Sequence, residues 1–203
     1  MAALPRSFYD SDDVVGIAHA LIGKILVNED TDGISSGIII ETEAYCGKND
    51  KACHAYNGRR TARTEVMFGE PGYSYIYLCY GIHHLFNVVT NEPGKADAVL
   101  IRALWPLDGV ERMQERRGMR TVSGLCNGPG KLTQALGIHT GLNGTSLLDG
   151  DLRIEDQDFV REEKAIRRAT RIGIAYAGED AKLPWRFLTD HPRATFSHPF
   201  RTF

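Results

Sequence analysis

Two glutamates and a tyrosine at alternating positions are the first candidates for chemistry. Glu41, Glu43 and Tyr45 follow an isoleucine-rich run, and a β-strand over residues 37–45 would place all three side chains on one face. Two interpretations stay open here. The strand either surfaces at its end with solvated glutamates, or it holds a general base beside an aromatic wall, with a pKa tuned by partial burial.

Arg102 lies within the apolar segment 98–104, which is a predicted strand. Burying an arginine is costly unless the charge is paired, so a structural salt bridge is the default interpretation. A catalytic role requires Arg102 to point toward the same site as Glu43. The spacing of the two residues along the chain does not show this.

A cluster of tyrosines marks a predicted β-hairpin. Residues 73–79 and 85–90 are rich in aromatic and β-branched side chains, and only residues 80–84 connect them. The tyrosines are Tyr73, Tyr75, Tyr77 and Tyr80. Aromatic side chains in strands usually pack, but a tyrosine at the turn has little core beside it. Tyr80 is therefore either a packing residue or an exposed wedge that can insert between base pairs.

A glycine-rich segment and three groups of basic residues are candidate anion contacts. Residues 126–131 read Cys-Asn-Gly-Pro-Gly-Lys before a predicted helix, where backbone amides favour a DNA phosphate or form a plain cap. The nucleotide P-loop spacing is absent, and Leu132 follows Lys131. The basic groups are phosphate contacts or solvated faces. They are Arg59, Arg60 and Arg63; Arg112, Arg116, Arg117 and Arg120; and Arg161, Lys164, Arg167, Arg168 and Arg171.

The cysteines predict a reducing environment and no metal centre. Cys46, Cys53, Cys79 and Cys126 contain no Cys-x-x-Cys pair, and we interpret them as reduced thiols of a cytoplasmic protein. A zinc site of Cys46, Cys53 and His54 is conceivable, but its spacing fits no standard structural site. We expect neither a metal nor another cofactor.

Composition and periodicity predict one domain over residues 1–203. The chain is 42% hydrophobic with a net charge of -2, which argues against non-specific coating of nucleic acid but allows a local basic face. We expect no signal peptide and no membrane span. Strands outnumber helices without regular strand–helix alternation, so the predicted class is α+β with a mostly antiparallel sheet. Predicted strands cover 24–27, 37–45, 73–79, 85–90, 98–104 and 151–160. Predicted helices cover 108–117, 131–136 and a segment that follows an N-cap cluster at 11–13 and runs to about Ile22, and the tail is loop-rich.

Taken together, these segments resemble the alkyladenine (3-methyladenine, methylpurine) DNA glycosylase family in its short bacterial form. The similarity runs from Arg6 to about Phe187. The stretches that carry it are Glu-Thr-Glu-Ala-Tyr at 41–45, Ala-Cys-His at 52–54, Tyr-Ile-Tyr-Leu-Cys-Tyr-Gly at 75–81, Leu-Ile-Arg-Ala-Leu at 100–104, Asn-Gly-Pro-Gly-Lys-Leu at 127–132 and Arg-Ile-Gly at 171–173. The resemblance implies a curved antiparallel sheet with surrounding helices and a protruding β-hairpin.

The activity that the resemblance implies is base excision repair. Such an enzyme flips an alkylated or deaminated purine (3-methyladenine, 7-methylguanine or hypoxanthine type) out of duplex DNA and hydrolyses the N-glycosidic bond, leaving an abasic site. No lysine accompanies Glu43 in its motif, so lyase chemistry is not expected. The implied partner is double-stranded DNA with damaged purines. The implied state is a cytoplasmic monomer, associated with the nucleoid in a bacterium.

The resemblance also assigns roles to individual residues. Glu43 would be the general base, and Arg102 with the backbone carbonyl of Ile172 would help to hold the attacking water. Asn87 would exclude normal guanine by a steric clash with the exocyclic amine of that base. The remaining pocket residues implied are Tyr45, His54 and Tyr77, which would stack around the flipped base, with Ala52 and Leu100.

The implied DNA contacts lie on the hairpin and in the basic groups. Tyr80 would fill the gap that the flipped base leaves, and Arg59 and Lys131 would contact the backbone. Ile82 and His83 depart from the methionine and aromatic residue found in vertebrate members. This departure bears on the range of lesions more than on the reaction.

Two other functions are compatible with parts of the sequence. A non-catalytic nucleic-acid-binding module would use the same basic and aromatic residues and would not need Glu43. A carbohydrate glycosidase could use Glu41 and Glu43 as its carboxylate pair, since such positions on a strand lie roughly 6.5–7 Å apart at the backbone. Tyr80 and the basic groups would have no role in that second enzyme.

Overall fold

One antiparallel sheet carries the site residues, and its longest strand, predicted over 37–45, lies at its centre. The computed structural model describes residues 2–156 and 163–190. Its strands are β1 (Ile25–Asp30), β2 (Gly33–Tyr45), β3 (Ser74–Cys79), β4 (His83–Thr90), β5 (Asp97–Pro106), β6 (Leu152–Glu155), β7 (Arg167–Ala169) and β8 (Arg186–Leu188). The order is β3-β4-β5-β2-β1-β6, while β8 pairs with β2 and β7. All described strand pairs are antiparallel, so the predicted α+β class with a curved, mostly antiparallel sheet is confirmed.

Short helices cover one side of this sheet. They are α1 (Arg6–Tyr9), α2 (Val14–Ala20), α3 (Val110–Arg117) and α4 (Pro129–Leu136). The N-cap cluster predicted at 11–13 is confirmed at Asp13, which accepts a hydrogen bond from the Gly16 N–H at 2.7 Å, and the helix ends at Ala20 rather than at about Ile22. Short 3-10 helices lie at Tyr56–Gly58, Glu65–Phe68, Thr140–Leu142, Glu163–Ala165 and Ala175–Lys182. No helix in the described part of the chain is both long and apolar enough to cross a membrane.

The two faces of β2 have different surroundings. Thr42 donates a hydrogen bond to the Ala18 carbonyl of α2 at 2.7 Å, and Ala44 is fully buried in the main core cluster. Alternation along the strand then directs Glu41, Glu43 and Tyr45 to the opposite face. The helix-covered face supplies hydrophobic stabilisation, and the C-terminal part of the opposite face carries the polar groups.

Two bulges interrupt the pairing of β2 with β5 beside these polar groups. Ile39 pairs with Leu104 and Glu41 with Ala103, so Ile40 is an extra residue on β2; Thr42 then pairs with Ile101, so Arg102 is an extra residue on β5. The two insertions cancel, and the register is restored beyond them. Val99 and Ile101 of β5 lie in the main core cluster, so alternation directs Leu100 and Arg102 to the opposite face, and the bulge returns the strand to the core at Leu104.

The β3–β4 hairpin has a tighter turn than the sequence predicts. Cys79 pairs with His83, so the connection has three residues, Tyr80–Ile82, and not the five predicted at 80–84. Tyr80 and Gly81 have φ values of 51° and 73°, and the Ile82 N–H donates to the Cys79 carbonyl at 3.2 Å. Two successive positive φ angles match the twist of a hairpin, but they are uncommon for tyrosine.

The end of the hairpin next to the turn is anchored on α4. Thr133 donates a hydrogen bond to the His84 carbonyl at 2.7 Å. A Cβ atom at Gly130 would lie 2.9 Å from the His83 ring, so only glycine allows this close approach. The helix predicted over 131–136 begins two residues earlier, at Pro129, where proline is favoured.

The C-terminal part of the chain corrects two expectations. The tail predicted to be loop-rich contributes β7 and β8, and β8 pairs with β2 opposite residues 41–43. The strand predicted over 151–160 is β6, which ends at Glu155. Residues 157–160 and Arg161 lie outside the described part of the chain.

Candidate active site

Glu43 lies at the centre of the polar face of β2, and its side chain is fully buried. Its Oε1 accepts a hydrogen bond from the Ile172 N–H at 2.8 Å. Its Oε2 accepts from the Tyr45 hydroxyl at 2.7 Å and from Arg102 Nη1 at 3.2 Å. The interpretation of Glu43 as a solvated glutamate at a strand end is therefore wrong.

Competing effects act on the charge of Glu43. Burial raises the pKa of its carboxyl and is the largest cause, and the neighbouring Glu41 carboxylate raises it further. The Arg102 guanidinium, the Tyr45 hydroxyl and the Ile172 N–H favour the ionised form and lower the pKa, but the net direction is upward. A desolvated carboxylate of raised basicity is suited to accept a proton from water.

Arg102 bridges the two glutamates of β2. It donates to Glu41 Oε1 at 3.1 Å as well as to Glu43, and its side chain is largely buried. Glu41 also accepts from Arg186 of β8 at 2.8 Å. Glu41 therefore holds two arginines in place, and Arg102 points to the same site as Glu43, which spacing alone did not show.

A buried ion pair supports the segment that contacts Glu43. Arg171 and Asp50 have fully buried side chains and form a two-nitrogen pair. Arg171 also donates to the Ala44 carbonyl at 2.8 Å, and its guanidinium lies 4.8 Å from the centre of the Tyr45 ring. The interpretation of Arg171 as a surface phosphate contact is wrong. The pair fixes the chain beside Ile172, and breaking it would cost about 3–5 kcal/mol.

Ile172 contacts Glu43 through its backbone. The group that the structure shows at the carboxylate is the Ile172 N–H, not the carbonyl that the resemblance implies. The carbonyl's role toward a water molecule stays a prediction.

A cavity of about 390 Å³ opens beside Glu43. Tyr45, Arg102 and Ile172, the three residues that bind Glu43, all line it. The other pocket residues expected from the sequence are brought together here as well: Ala52, His54, Tyr77, Asn87 and Leu100. The cavity is of the size of small-molecule sites, and its walls are mostly aromatic and apolar with few polar groups.

His54 forms one wall of this pocket as a neutral ring. It lies 4.8 Å from Tyr77, ring centre to ring centre, at an interplanar angle of 77°. Burial and the charges of Arg63 and Arg59 lower the pKa of His54 to about 4. Arg63 can only donate to Nε2, at 3.4 Å, so we assign the ring proton to Nδ1, 2.9 Å from the Tyr75 hydroxyl.

Several lining residues were not predicted to belong to the pocket, among them Tyr75, Arg63 and Tyr176. Tyr75 lies two positions before Tyr77 and shares its face, so strand alternation could have identified it. Arg63 lies in a turn and Tyr176 in a short 3-10 helix, where no extended periodic pattern indicates which side chains face a pocket.

Asn87 is held rigidly in the pocket wall. It is buried and pairs with Tyr75 across the hairpin. Its side-chain nitrogen donates to the carbonyls of Tyr75 at 3.0 Å and Leu85 at 3.4 Å. An amide fixed at two points cannot swing aside to enlarge the cavity.

The hairpin tip presents apolar side chains to solvent at the mouth of the pocket. Tyr80 is 90% exposed and Ile82 is 71% exposed, and Tyr80 also lines the cavity. The packing interpretation of Tyr80 is wrong. An exposed aromatic side chain on a strained backbone beside a cavity is a typical feature of a binding surface.

The basic groups differ in their environments. Arg59 and Lys131 are exposed, and Lys131 Nζ donates to Asn127 Oδ1 at 2.9 Å. Most arginines of the second group form hydrogen bonds with other parts of the protein. Its arginines bind the Ile34 carbonyl (Arg112, 2.7 Å), Asp30 (Arg116, 2.7 Å) and Gln134 (Arg117, 2.6 Å). In the third group, Arg167 pairs with Asp190 and Arg168 lies over Phe187.

The zinc alternative finds no support in the arrangement of ligands. Within residues 2–156 and 163–190, no three histidine, cysteine, aspartate or glutamate side chains are grouped so that they could hold a metal ion. His54 instead contacts Tyr75 and Arg63. All four cysteines are free thiols.

Comparisons with known proteins point to one family. The family described as methylpurine-DNA glycosylase (MPG) matches residues 7–193. A protein of Desulfitobacterium hafniense is 45% identical over 198 residues, which cover 94% of this chain and 96% of that protein. Proteins of Bacillus cereus and Bacillus mycoides are 46% and 47% identical over 206 residues, covering 97% of both chains. All three carry the name "putative 3-methyladenine DNA glycosylase".

Proposed function

The chain belongs to the methylpurine-DNA glycosylase family, and from this premise we propose that it removes alkylated or deaminated purines from double-stranded DNA with a water molecule activated by Glu43. The family is one of enzymes that hydrolyse N-glycosyl bonds in DNA repair. One observation carries the proposal. Glu43 is fully buried beside an aromatic cavity, and the three groups that bind its carboxylate all line that cavity.

The hydrogen-bond count of Glu43 leaves room for a water molecule. A carboxylate has about four acceptor sites, two on each oxygen. Oε2 already accepts from Tyr45 and Arg102, whereas among the residues that the structure describes Oε1 accepts only from Ile172. The attacking water therefore donates to Oε1. Glu43 takes its proton as the oxygen attacks the sugar carbon, the glycosidic bond breaks, and the purine leaves with the bonding electrons.

The pocket supports capture of a base that has left the helix. A base within a duplex cannot reach a buried carboxylate, so it must be extruded, at a cost of a few kcal/mol that is smallest for damaged bases. Tyr45, His54 and Tyr77 offer the faces on which such a base stacks. Aromatic faces also attract the positive charge of an alkylated purine, which is a good leaving group.

The reaction stops at the abasic site in this proposal. Lyase activity needs an amine nucleophile, and the described residues that line the pocket include no lysine. We propose that residues 1–203 act as one domain and as a monomer on DNA. Arg59 and Lys131 contact the phosphate backbone.

The proposed activity is tested with duplexes that carry a single hypoxanthine or 3-methyladenine. We expect abasic sites, scored as strand breaks after alkali, and none in a matched duplex with undamaged adenine. Release of neither base above the rate without protein would contradict the proposal. Binding without release would favour the alternative of a non-catalytic nucleic-acid-binding module.

We expect Asn87→Ser to increase release of normal guanine about tenfold or more. Serine is shorter and cannot reach both carbonyls that now fix the amide, so the wall no longer excludes the exocyclic amine. The measurement is guanine release from undamaged duplex. Asn28→Ser is a matched control, because Asn28 is also buried and donates to a carbonyl, that of Leu136, outside this pocket. Unchanged guanine release by a folded Asn87→Ser variant would rule out this role.

The Tyr45 hydroxyl predicts a shift in the pH profile of excision. The base must be ionised, so the rate falls as the pH drops through the pKa of Glu43, which burial raises. The Tyr45 hydrogen bond lowers this pKa, so Tyr45→Phe raises it further and moves the acid limb to higher pH. Single-turnover rates across pH give the measurement. Tyr77→Phe, which also loses a pocket hydroxyl, is the control, and an acid limb that stays in place for Tyr45→Phe contradicts the assignment of Glu43 as base.

A further inference from the structure

Arg63 places a positive charge on the wall of the pocket. Its guanidinium carbon lies 4.5 Å from the centre of the Tyr77 ring, and its Nη2 lies 3.4 Å from His54 Nε2. Arg63 also lines the cavity, while the residue as a whole is exposed at its rim. Its contacts are therefore made with two of the rings on which an extruded base would stack.

The field of this charge acts on the pocket wall. Arg63 is one of the causes that lower the pKa of His54, next to burial. His54 stays neutral and does not add a second positive charge. Among the pocket-lining residues, Arg102 is the other cation, and it is paired with Glu41 and Glu43. Arg63 makes no ion pair among the described contacts, so its positive charge, unlike that of Arg102, is not balanced by a carboxylate.

The two chemical classes of damaged purine respond differently to such a group. A guanidinium offers only donors, and it stacks on neutral planar rings. A deaminated purine is neutral and keeps two acceptors on its major-groove edge, O6 and N7, which are the atoms that arginine binds in guanine. A purine methylated at N7 has lost one of these acceptors and carries a positive charge that the guanidinium repels.

We propose that Arg63 is a specificity-determining residue that biases the pocket toward neutral deaminated purines and against cationic N-methylated ones. The inference rests on the proposed function and names a preference within it. Asn87 and Arg63 then act together. Arg63 favours a purine with O6 and N7 acceptors, and Asn87 rejects the one normal base, guanine, that has them.

The test compares Arg63→Gln with the unchanged protein on two duplexes of the same sequence, one with 7-methylguanine and one with hypoxanthine. We expect the ratio of kcat/KM for 7-methylguanine to that for hypoxanthine to rise about fivefold. This factor corresponds to ~1 kcal/mol between unit charges about 4 Å apart in a water-like dielectric. Phosphate contacts are common to both duplexes and cancel in the ratio.

Two control variants separate charge from other effects. Arg63→Lys keeps the charge and should leave the ratio close to that of the unchanged protein. Arg60→Gln removes a neighbouring arginine that lies over another ring, 4.6 Å from the centre of Phe68, but does not line the cavity. It should leave the ratio unchanged.

The outcomes distinguish the inference from the proposed function. An unchanged or lowered ratio in Arg63→Gln, or an equal loss on both duplexes, would overturn the assignment of Arg63 alone. A second readout does not depend on activity: removing the charge should raise the pKa of His54 above about 4 in an NMR titration, and no rise would place Arg63 away from the pocket wall. If the unchanged protein released neither base, the proposed function would fail and the inference with it.

Discussion

Replacing Glu43 by glutamine is expected to lower the single-turnover rate of base excision by a factor of at least about 10²–10⁴, while binding to a lesion duplex is retained. The amide has nearly the same shape but cannot take a proton from water. The residues that would stack on the base, Tyr45, His54 and Tyr77, are unchanged in this variant. The measurements are single-turnover excision and equilibrium binding on the same hypoxanthine duplex.

Stability gives a second, independent expectation for this variant. The pKa of Glu43 is raised in the folded protein, so its ionised form costs stability above the pKa of an unfolded glutamate, and that cost is present at neutral pH. Glutamine removes the cost, and Arg102 keeps Glu41 as a partner. We therefore expect a melting temperature equal to or above that of the unchanged protein, as is common when a residue is kept for function.

A matched control is available for the charge change. Glu70 is half-exposed and pairs with Arg6 on the surface, so Glu70→Gln removes one negative charge away from the pocket. It should leave excision unchanged. Near-normal excision by Glu43→Gln would show that the base is another group, and a loss of binding together with excision would indicate a structural role.

Truncating Tyr80 to alanine is expected to lower the equilibrium for base flipping by about tenfold. Stacking of an aromatic ring on a base contributes about 1–3 kcal/mol, and Tyr80 is 90% exposed at the mouth of the pocket. Initial binding depends on phosphate contacts and should change less. Stopped-flow fluorescence of a fluorescent lesion base gives the measurement.

The expected effect of this truncation on folding is small. A surface position away from the core changes the free energy of unfolding by about 0.5 kcal/mol or less, so a thermal melt should hardly move. Tyr80→Phe keeps the ring and the backbone strain of a positive φ, and it should flip normally. Tyr56→Ala removes another exposed tyrosine, one that does not line the pocket. Normal flipping by Tyr80→Ala with a large loss of stability would contradict the wedge role.

Alternation along a strand made part of the site predictable. A period of two residues placed Glu41, Glu43 and Tyr45 on one face, and the same rule applies to Tyr75 and Tyr77. The hairpin followed from its aromatic strands and from Gly81, whose positive φ suits a tight turn. These are local properties, set by a few neighbouring residues, so they can be inferred without knowing what packs against them.

Burial could not be inferred in this way, because it depends on segments distant in sequence. The solvated and buried readings of Glu43 were equally compatible with its neighbours, and the contact with Ile172, 129 residues later, decides between them. Arg171 has basic neighbours and was grouped with surface arginines. Its fully buried partner Asp50 is 121 residues away, and only the fold brings the two together.

The sequence by itself determined which residues could do chemistry: an alternating Glu-x-Glu-x-Tyr strand, a hairpin ending in Tyr80, and the motifs by which the chain resembles its family. The tertiary structure decided how those residues meet. The pairing of β5 with β2 brings Arg102 beside Glu43, to which its guanidinium donates, and a hydrogen bond from Arg186 on β8 holds Glu41 next to it. The physical reason is that alternation is a property of a single strand. The contacts of a side chain, its burial and its pKa depend on neighbouring strands and loops, which the order of residues along the chain does not reveal.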